Sequence, residues 1–125
     1  MAIICDIDDT ILRNGTQPIQ KTIDYLKTLE GPLYIVTGRP ESDRGDTVRA
    51  LHAAGVRFSR LIMNPYSSAN TAKFKGEVAQ RLKGKVSLAI DNNATMRHEY
   101  EKAGIKTLDP AKIPNMKKFW ILNGR

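Results

Sequence analysis

Five short apolar runs, rich in β-branched residues, alternate along the chain with longer segments whose apolar residues recur at helical spacing. The runs are Ala2 to Asp6, Leu33 to Thr37, Arg60 to Met63, Val86 to Asp91 and Lys106 to Leu108. The helical segments are Ile19 to Glu30, Arg44 to Ala54, Thr71 to Leu82 and Ala94 to Ala103. Runs that are apolar at almost every position suit strands covered on both faces, so the alternation predicts an α/β fold with a mainly parallel sheet between helices. Gly31, Gly55, Gly84 and Gly104 each closely follow a helical segment, where a left-handed cap favours glycine. Ile19, Ile23, Leu26 and Leu29 share a face of the first helical segment, and Val48, Leu51 and His52 share a face of the second. Both stripes are expected to pack into the core.

A chain of 125 residues fits one compact domain, 1–125, and 41% apolar with 26% charged residues is ordinary for a globular protein. No repeat, low-complexity tract or interdomain linker interrupts it. No apolar run reaches the roughly 18 residues of a membrane span. The start also lacks the basic region and apolar core of a signal peptide, so no membrane association and a cytoplasmic location are expected. The single cysteine, Cys5, cannot form an internal disulfide and is expected as a buried strand residue rather than a reactive thiol. Near the end, Phe119-Trp120-Ile121-Leu122 forms an apolar cluster expected to dock on the domain or to make an oligomer contact. The sequence does not set the oligomeric state.

Polar residues concentrate where the strands end. Asp6-Ile7-Asp8-Asp9-Thr10 follows the first run directly. Like charges at a strand end repel one another unless a cation or a catalytic task compensates, and open parallel sheets bind ligands outside the carboxyl ends of their strands. Thr37 and Gly38, in Ile35-Val36-Thr37-Gly38-Arg39-Pro40, end the second run with a hydroxyl and a residue that allows close backbone approach, a combination that suits a phosphate and also an ordinary turn. Lys73 and Lys75 stand near the start of the third helical segment, where an ammonium can offset a phosphate or an attacking carboxylate. Asp91, in Leu88-Ala89-Ile90-Asp91-Asn92-Asn93, either completes a hard-cation site with Asp6 or caps the following helix, a task open to Asn93 as well.

In order and spacing these stretches resemble the four motifs of the haloacid dehalogenase superfamily of phosphotransferases, whose first motif reads DxDx(T/V) after an apolar strand. The resemblance spans roughly Ile3 to Leu108 and implies a three-layer Rossmann-like domain. It implies Asp6 as nucleophile, Asp8 as general acid and base, Thr37 with the Gly38 N–H as phosphoryl holders, and Lys75, with Lys73 the alternative, as the lysine. It also implies Mg²⁺ held by the Asp6 carboxylate, the Asp8 carbonyl and Asp91. The chain departs from the pattern at Asn92, where many members carry a second acid. An uncharged amide there can orient a metal-bound water, and it implies weaker metal affinity.

The intervals between motifs hold a flap-like turn at Asn14-Gly15 and single helices and strands, with no room for the inserted cap domain common in the superfamily. Uncapped members act on macromolecules or are closed by a neighbouring subunit. Twenty Lys and Arg against thirteen Asp and Glu give a formal charge of +7, which favours anionic partners. Arg39, Arg44, Arg49, Arg57, Arg60 and Lys73 either line a path for nucleic acid or form a solvated face. Through Val36 to Arg39, the Lys75 helix and Leu88 to Asp91 the chain also resembles the phosphatase domain of polynucleotide kinase-phosphatases, which implies Arg39 as a further substrate contact and a 3′-phosphorylated nucleic-acid end as substrate. Few aromatics, 6%, speak against sequence-specific base stacking. The alternatives are a small-molecule or nucleotide phosphatase closed by oligomerisation, and a noncatalytic binding module on the same fold.

Overall fold

A computed structural model describes residues 1–114, so the cluster at 119–122 lies outside the described residues. Strands β1 (Ala2–Cys5), β4 (Leu33–Pro40), β5 (Arg60–Asn64), β6 (Val86–Ile90) and β7 (Thr107–Leu108) form one sheet in the order β5-β4-β1-β6-β7. Every pairing in it is parallel. A separate antiparallel pair, β2 (Leu12–Arg13) and β3 (Gln17–Pro18), closes over Asn14-Gly15 as the expected flap. Helices α1 (Gln20–Leu26), α2 (Arg44–Ala53), α3 (Thr71–Arg81) and α4 (Ala94–Lys102) connect the strands. No cap domain is present among the described residues, and no helix there is long and apolar enough to cross a membrane.

Neighbouring residues of a strand point to opposite faces, and the two cores separate accordingly. Ala2, Ile4, Val36 and Ala89 pack with Phe74, Val78, Ala79 and Tyr100 of α3 and α4. Cys5, Ile35 and Ile90 pack with Ile23 of α1 and Leu51 of α2. The sheet therefore lies between two helical layers, and continuously apolar strands are what such a position selects. Each fully buried Ile or Leu adds about 1.5–3 kcal/mol of transfer free energy.

Gly31, Gly55, Gly84 and Gly104 all adopt positive φ, as expected of helix-ending glycines. Gly31 carries a second constraint, because a Cβ there would lie 2.1 Å from the Met1 carbonyl oxygen. His52 departs from expectation: it is exposed and stacks on Phe58, with ring centroids 5.9 Å apart, while buried Thr47 joins Leu51 on the inner side of α2. Strand β4 also runs past Thr37 to Pro40, with an irregularity between those residues that leaves Gly38 and Arg39 unpaired in the ladder.

The chain runs outward from β1 to β4 and β5, then returns through α3 to β6 on the other side of β1. Connections diverge between β1 and β6, and the crevice at their carboxyl ends is where such sheets hold ligands. Asp6 and Asp91 follow these two strands directly.

Candidate active site

After β1 the chain turns sharply. The Ile7 carbonyl accepts the N–H groups of Thr10, Ile11 and Leu12 at 3.1, 2.8 and 3.1 Å, and Asp9 takes φ 62°. Aspartate tolerates that left-handed conformation better than most side chains. The turn buries Asp6 and Thr10 while leaving Asp8 exposed.

Asp6 accepts Lys75 Nζ on Oδ1 at 2.8 Å and Thr10 Oγ1 on Oδ2 at 3.0 Å. Burial pushes its carboxyl up from 3.8 to about 6, Asp91 adds to the rise, and Lys75 and Thr10 offset part of it. Lys75 also donates to Asp91 Oδ2 at 2.6 Å, so one buried ammonium bridges two carboxylates across the crevice. Burial alone would lower the lysine, yet Asp6 and Asp91 together hold it above its ordinary value. Lys73 does not reach this cluster; its ammonium lies over the Tyr66 ring, 4.8 Å from the centroid.

Asp91, expected in the metal site, is turned to other partners. Oδ2 binds Lys75 and Oδ1 accepts the Asn93 N–H at 3.0 Å. The helix cap falls to Asn93, whose Oδ1 accepts from Thr95 N at 2.8 Å and Met96 N at 3.2 Å. The side chain that approaches Asp6 Oδ2 and the Asp8 carbonyl is Asn92. One end of its amide lies 3.1 Å from the first and 3.2 Å from the second, and its NH₂ turned that way donates to both. Its backbone N–H donates to Thr10 Oγ1 at 3.1 Å.

Arg39, expected to contact substrate, grips Asp8. Nε donates to Asp8 Oδ2 at 3.0 Å and Nη2 to Oδ1 at 2.8 Å, a bidentate pair. The same guanidinium reaches Thr47 Oγ1 and the Gly15 carbonyl, both at 3.3 Å, tying the acid to α2 and to the flap. Asp8 favours the charged guanidinium and holds its pKa above the ordinary value. Buried Thr37 accepts the Arg39 N–H at 3.1 Å, and its own hydroxyl hydrogen has no acceptor among the described residues. Gly38 has a packing reason of its own: a Cβ would lie 2.8 Å from Cγ2 and Oγ1 of Thr71, the first residue of α3.

Sequence reading brought Asp6, Asp8, Thr37, Lys75 and Asp91 to neighbouring strand ends and α3. It missed Thr10 as the hydroxyl on Asp6, and Arg97, whose Nη1 donates to the Asp91 carbonyl at 2.9 Å. Thr10 stands four residues after Asp6 within a tight turn, a spacing that could have suggested the contact; Arg97 carries no local signal. Beside Asn92 opens a cleft of about 420 Å³ lined by Asp9, Arg13, Ile19, Lys21, Asn92 and Asp109 among others.

A family model described as haloacid dehalogenase-like hydrolase matches residues 3–101. No curated protein matches the sequence. Among solved structures, a chain in a structure of the Pnkp1/Rnl/Hen1 RNA repair complex is similar with TM-score 0.68 and 21% identity, over 86% of this chain and 41% of that one. A second structure of the Pnkp1/Rnl/Hen1 complex gives TM-score 0.66 and 22% identity, over 86% and 45%. This chain thus spans less than half the length of those it resembles. At that identity the likeness concerns the fold.

Proposed function

The chain belongs to the haloacid dehalogenase-like hydrolases, and on that premise we propose that it is a Mg²⁺-dependent phosphatase in which Asp6 is the nucleophile and Asp8 manages the protons. The observation that carries this reading is the buried lysine bridge, in which Lys75 touches Asp6 at 2.8 Å and Asp91 at 2.6 Å. A lysine that offsets charge beside one buried carboxylate, with a second carboxylate two residues further along the chain, is what covalent phosphoryl transfer requires.

In the first step an Asp6 carboxylate oxygen bonds to phosphorus while the bond to the ester oxygen breaks, and Asp8 gives that leaving oxygen its proton. In the second, ionised Asp8 takes a proton from water, whose oxygen attacks the aspartyl-phosphate and releases phosphate and the free carboxylate. Thr37 suits a phosphoryl oxygen through its undirected hydroxyl hydrogen, and Gly38 through its N–H. Arg39 acts on Asp8 rather than on substrate: its two-pronged contact fixes where the proton is delivered.

Asp6 Oδ2, the Asp8 carbonyl and the Asn92 amide form an oxygen-rich corner that suits Mg²⁺, with Asp91 holding the lysine. The Asn92 amide lies 3.1 Å from Asp6 Oδ2 and 3.2 Å from the Asp8 carbonyl, so the three groups are close enough to share one small hard cation. Held there, such a cation would supply positive charge against that developing on the transferring phosphoryl group.

For the substrate, a 3′-phosphorylated nucleic-acid end is the reading supported by the uncapped fold, the +7 charge and the fold likeness to a chain of an RNA repair complex. The cleft beside Asn92, with Arg13 and Lys21 in its lining, offers room for the leaving group and supports a small phosphate ester as the second reading. Hydrolysis of an aryl phosphate with and without EDTA tests the chemistry. Activity should vanish on chelation and in Asp6→Asn; turnover untouched by either disproves it, and a protein with none would be a noncatalytic binder. Substrate class is then read from 3′-phosphorylated oligonucleotides set against nucleotides and sugar phosphates, a preference for the small esters favouring the second reading.

A further inference from the structure

Asn92 sits where many relatives of this fold place a charge, and its surroundings give an uncharged amide something a carboxylate could not do. One end of the amide lies 3.1 Å from Asp6 Oδ2 and 3.2 Å from the Asp8 carbonyl oxygen. Both neighbours are acceptors. An NH₂ at that position donates to each, whereas an oxygen there faces both acceptors and, unless a cation sits among them, is answered only by the Thr10 hydroxyl 3.3 Å away, whose one hydrogen already serves Asp6. The two ends of an asparagine amide have nearly the same shape, so a half-turn about the last side-chain bond exchanges them without moving the backbone.

Two features confine the motion to that half-turn. Thr10 Oγ1 donates to Asp6 Oδ2 at 3.0 Å and accepts the Asn92 N–H at 3.1 Å, so a single hydroxyl ties the backbone of residue 92 to the nucleophile. Asn93 caps α4 through Thr95 and Met96, which anchors the next residue. Asn92 itself is exposed, so the turn meets no packing barrier.

We propose that Asn92 is a switchable occupant of the cation corner: without a divalent cation its NH₂ bonds Asp6 and the Asp8 carbonyl, and cation binding turns the amide so that its oxygen becomes a ligand. The inference rests on the cation reading above and adds what this chain's own amide does. Its consequence is a site that stays ordered without metal and binds metal weakly, because the cation must displace two hydrogen bonds and gains no charge from residue 92. A carboxylate at 92 would reverse both properties, repelling Asp6 in the metal-free protein and holding the cation more tightly.

The test uses the purified full chain with Mg²⁺ alone, read by calorimetric titration, by melting temperature and by the side-chain ¹H–¹⁵N signals of Asn92. Mg²⁺ should shift the Asn92 NH₂ signals as their bonds to Asp6 and Asp8 break. Asn92→Asp should bind Mg²⁺ more tightly, by about tenfold or more from the added charge, melt lower than the parent in EDTA and gain more from added Mg²⁺. Asn92→Ala, which removes both ends of the amide, should also melt lower in EDTA and should bind Mg²⁺ more weakly than the parent. Tight Mg²⁺ binding by the parent with unmoved Asn92 signals, or equal affinity in parent and Asn92→Asp, overturns the switch while leaving the phosphatase reading intact. Mg²⁺ bound by neither protein overturns both together.

Discussion

Lys75 sets the electrostatics of the site one residue at a time. With Asp6 and Asp91 both buried against its ammonium, Lys75→Met leaves two carboxylates facing each other without a cation. Removing one member of a buried ion network costs about 3–5 kcal/mol, so the urea midpoint should fall sharply along with activity. The pH dependence follows from Asp6, which burial raises from 3.8 to about 6. A carboxyl raised on folding favours the folded state in acid, and that contribution is lost as pH rises through about 6. On the proposed mechanism catalysis runs the other way, because an ionised Asp6 is needed for attack. Rates should fall as pH drops through about 6, and raising Mg²⁺ should move that limb to lower pH, since a bound cation favours the ionised form. Arg39→Lys keeps the charge but loses the bidentate fork on Asp8. It should lower kcat about tenfold, a part of what proton transfer contributes, with KM for an aryl phosphate nearly unchanged. The strand-end position of Asp6 could be read from the sequence; the partner of Arg39 could not, because it stands 31 residues away on another strand end.

At the scale of elements, the site depends on how closely α3 approaches β4. Gly38→Ala would set a methyl 2.8 Å from the Thr71 side chain, and Thr71, β-branched in the first turn of α3, has few rotamers to give way. Overpacking of this kind costs about 1–3 kcal/mol, and it displaces the helix that carries Lys75. Activity in that variant should therefore fall further than the change in melting temperature alone would suggest. Helix α4 holds the opposite case. Tyr100 is fully buried in the α3–α4 core, and its hydroxyl has no partner among the described residues. Burial first, then the charges of Asp91 and Asp6, push its phenol well above the ordinary value. An unpaired buried hydroxyl costs about 1–3 kcal/mol, so Tyr100→Phe should raise stability in denaturant titration. A loss would mean that the hydroxyl has a hydrogen-bond partner.

At the scale of the molecule, several of the cations among the described residues have partners of their own. Arg44 pairs with Glu41, Arg49 with Asp46 and Arg39 with Asp8, while Arg60 lies over Tyr34 and Lys73 over Tyr66. Arg60 begins β5 and Arg57 lies beside Gly31 and Gly55, at the end of the sheet away from the site. The sequence-based path of basic residues is thus divided between the two ends of the sheet. Arg13 and Lys21 line the cleft beside Asn92, where the proposed nucleic-acid substrate would extend. Reversing both to Glu should weaken binding of a 3′-phosphorylated oligonucleotide by about tenfold or more at low salt. Arg57→Glu with Arg60→Glu should leave it nearly unchanged. Fluorescence anisotropy across a salt series distinguishes the pairs, and equal effects from both would show that the charge acts only as a diffuse field.

The sequence by itself determined the elements and the strand ends that matter. Continuous apolar runs, helical stripes and glycine caps are local properties, and each of the predicted helices and sheet strands appears within a few residues of its expected bounds. It also placed Asp6 and Asp91 in the crevice, because each follows its strand directly. Only the tertiary structure decided which groups meet. The Lys75–Asp6 contact joins residues 69 apart, and the Thr10–Asn92 contact joins residues 82 apart. No local periodicity encodes such distances; they follow from the order in which parallel strands are laid beside β1. That order turned Asp91 to the lysine, set Asn92 beside Asp6 and the Asp8 carbonyl, and closed Arg39 on Asp8.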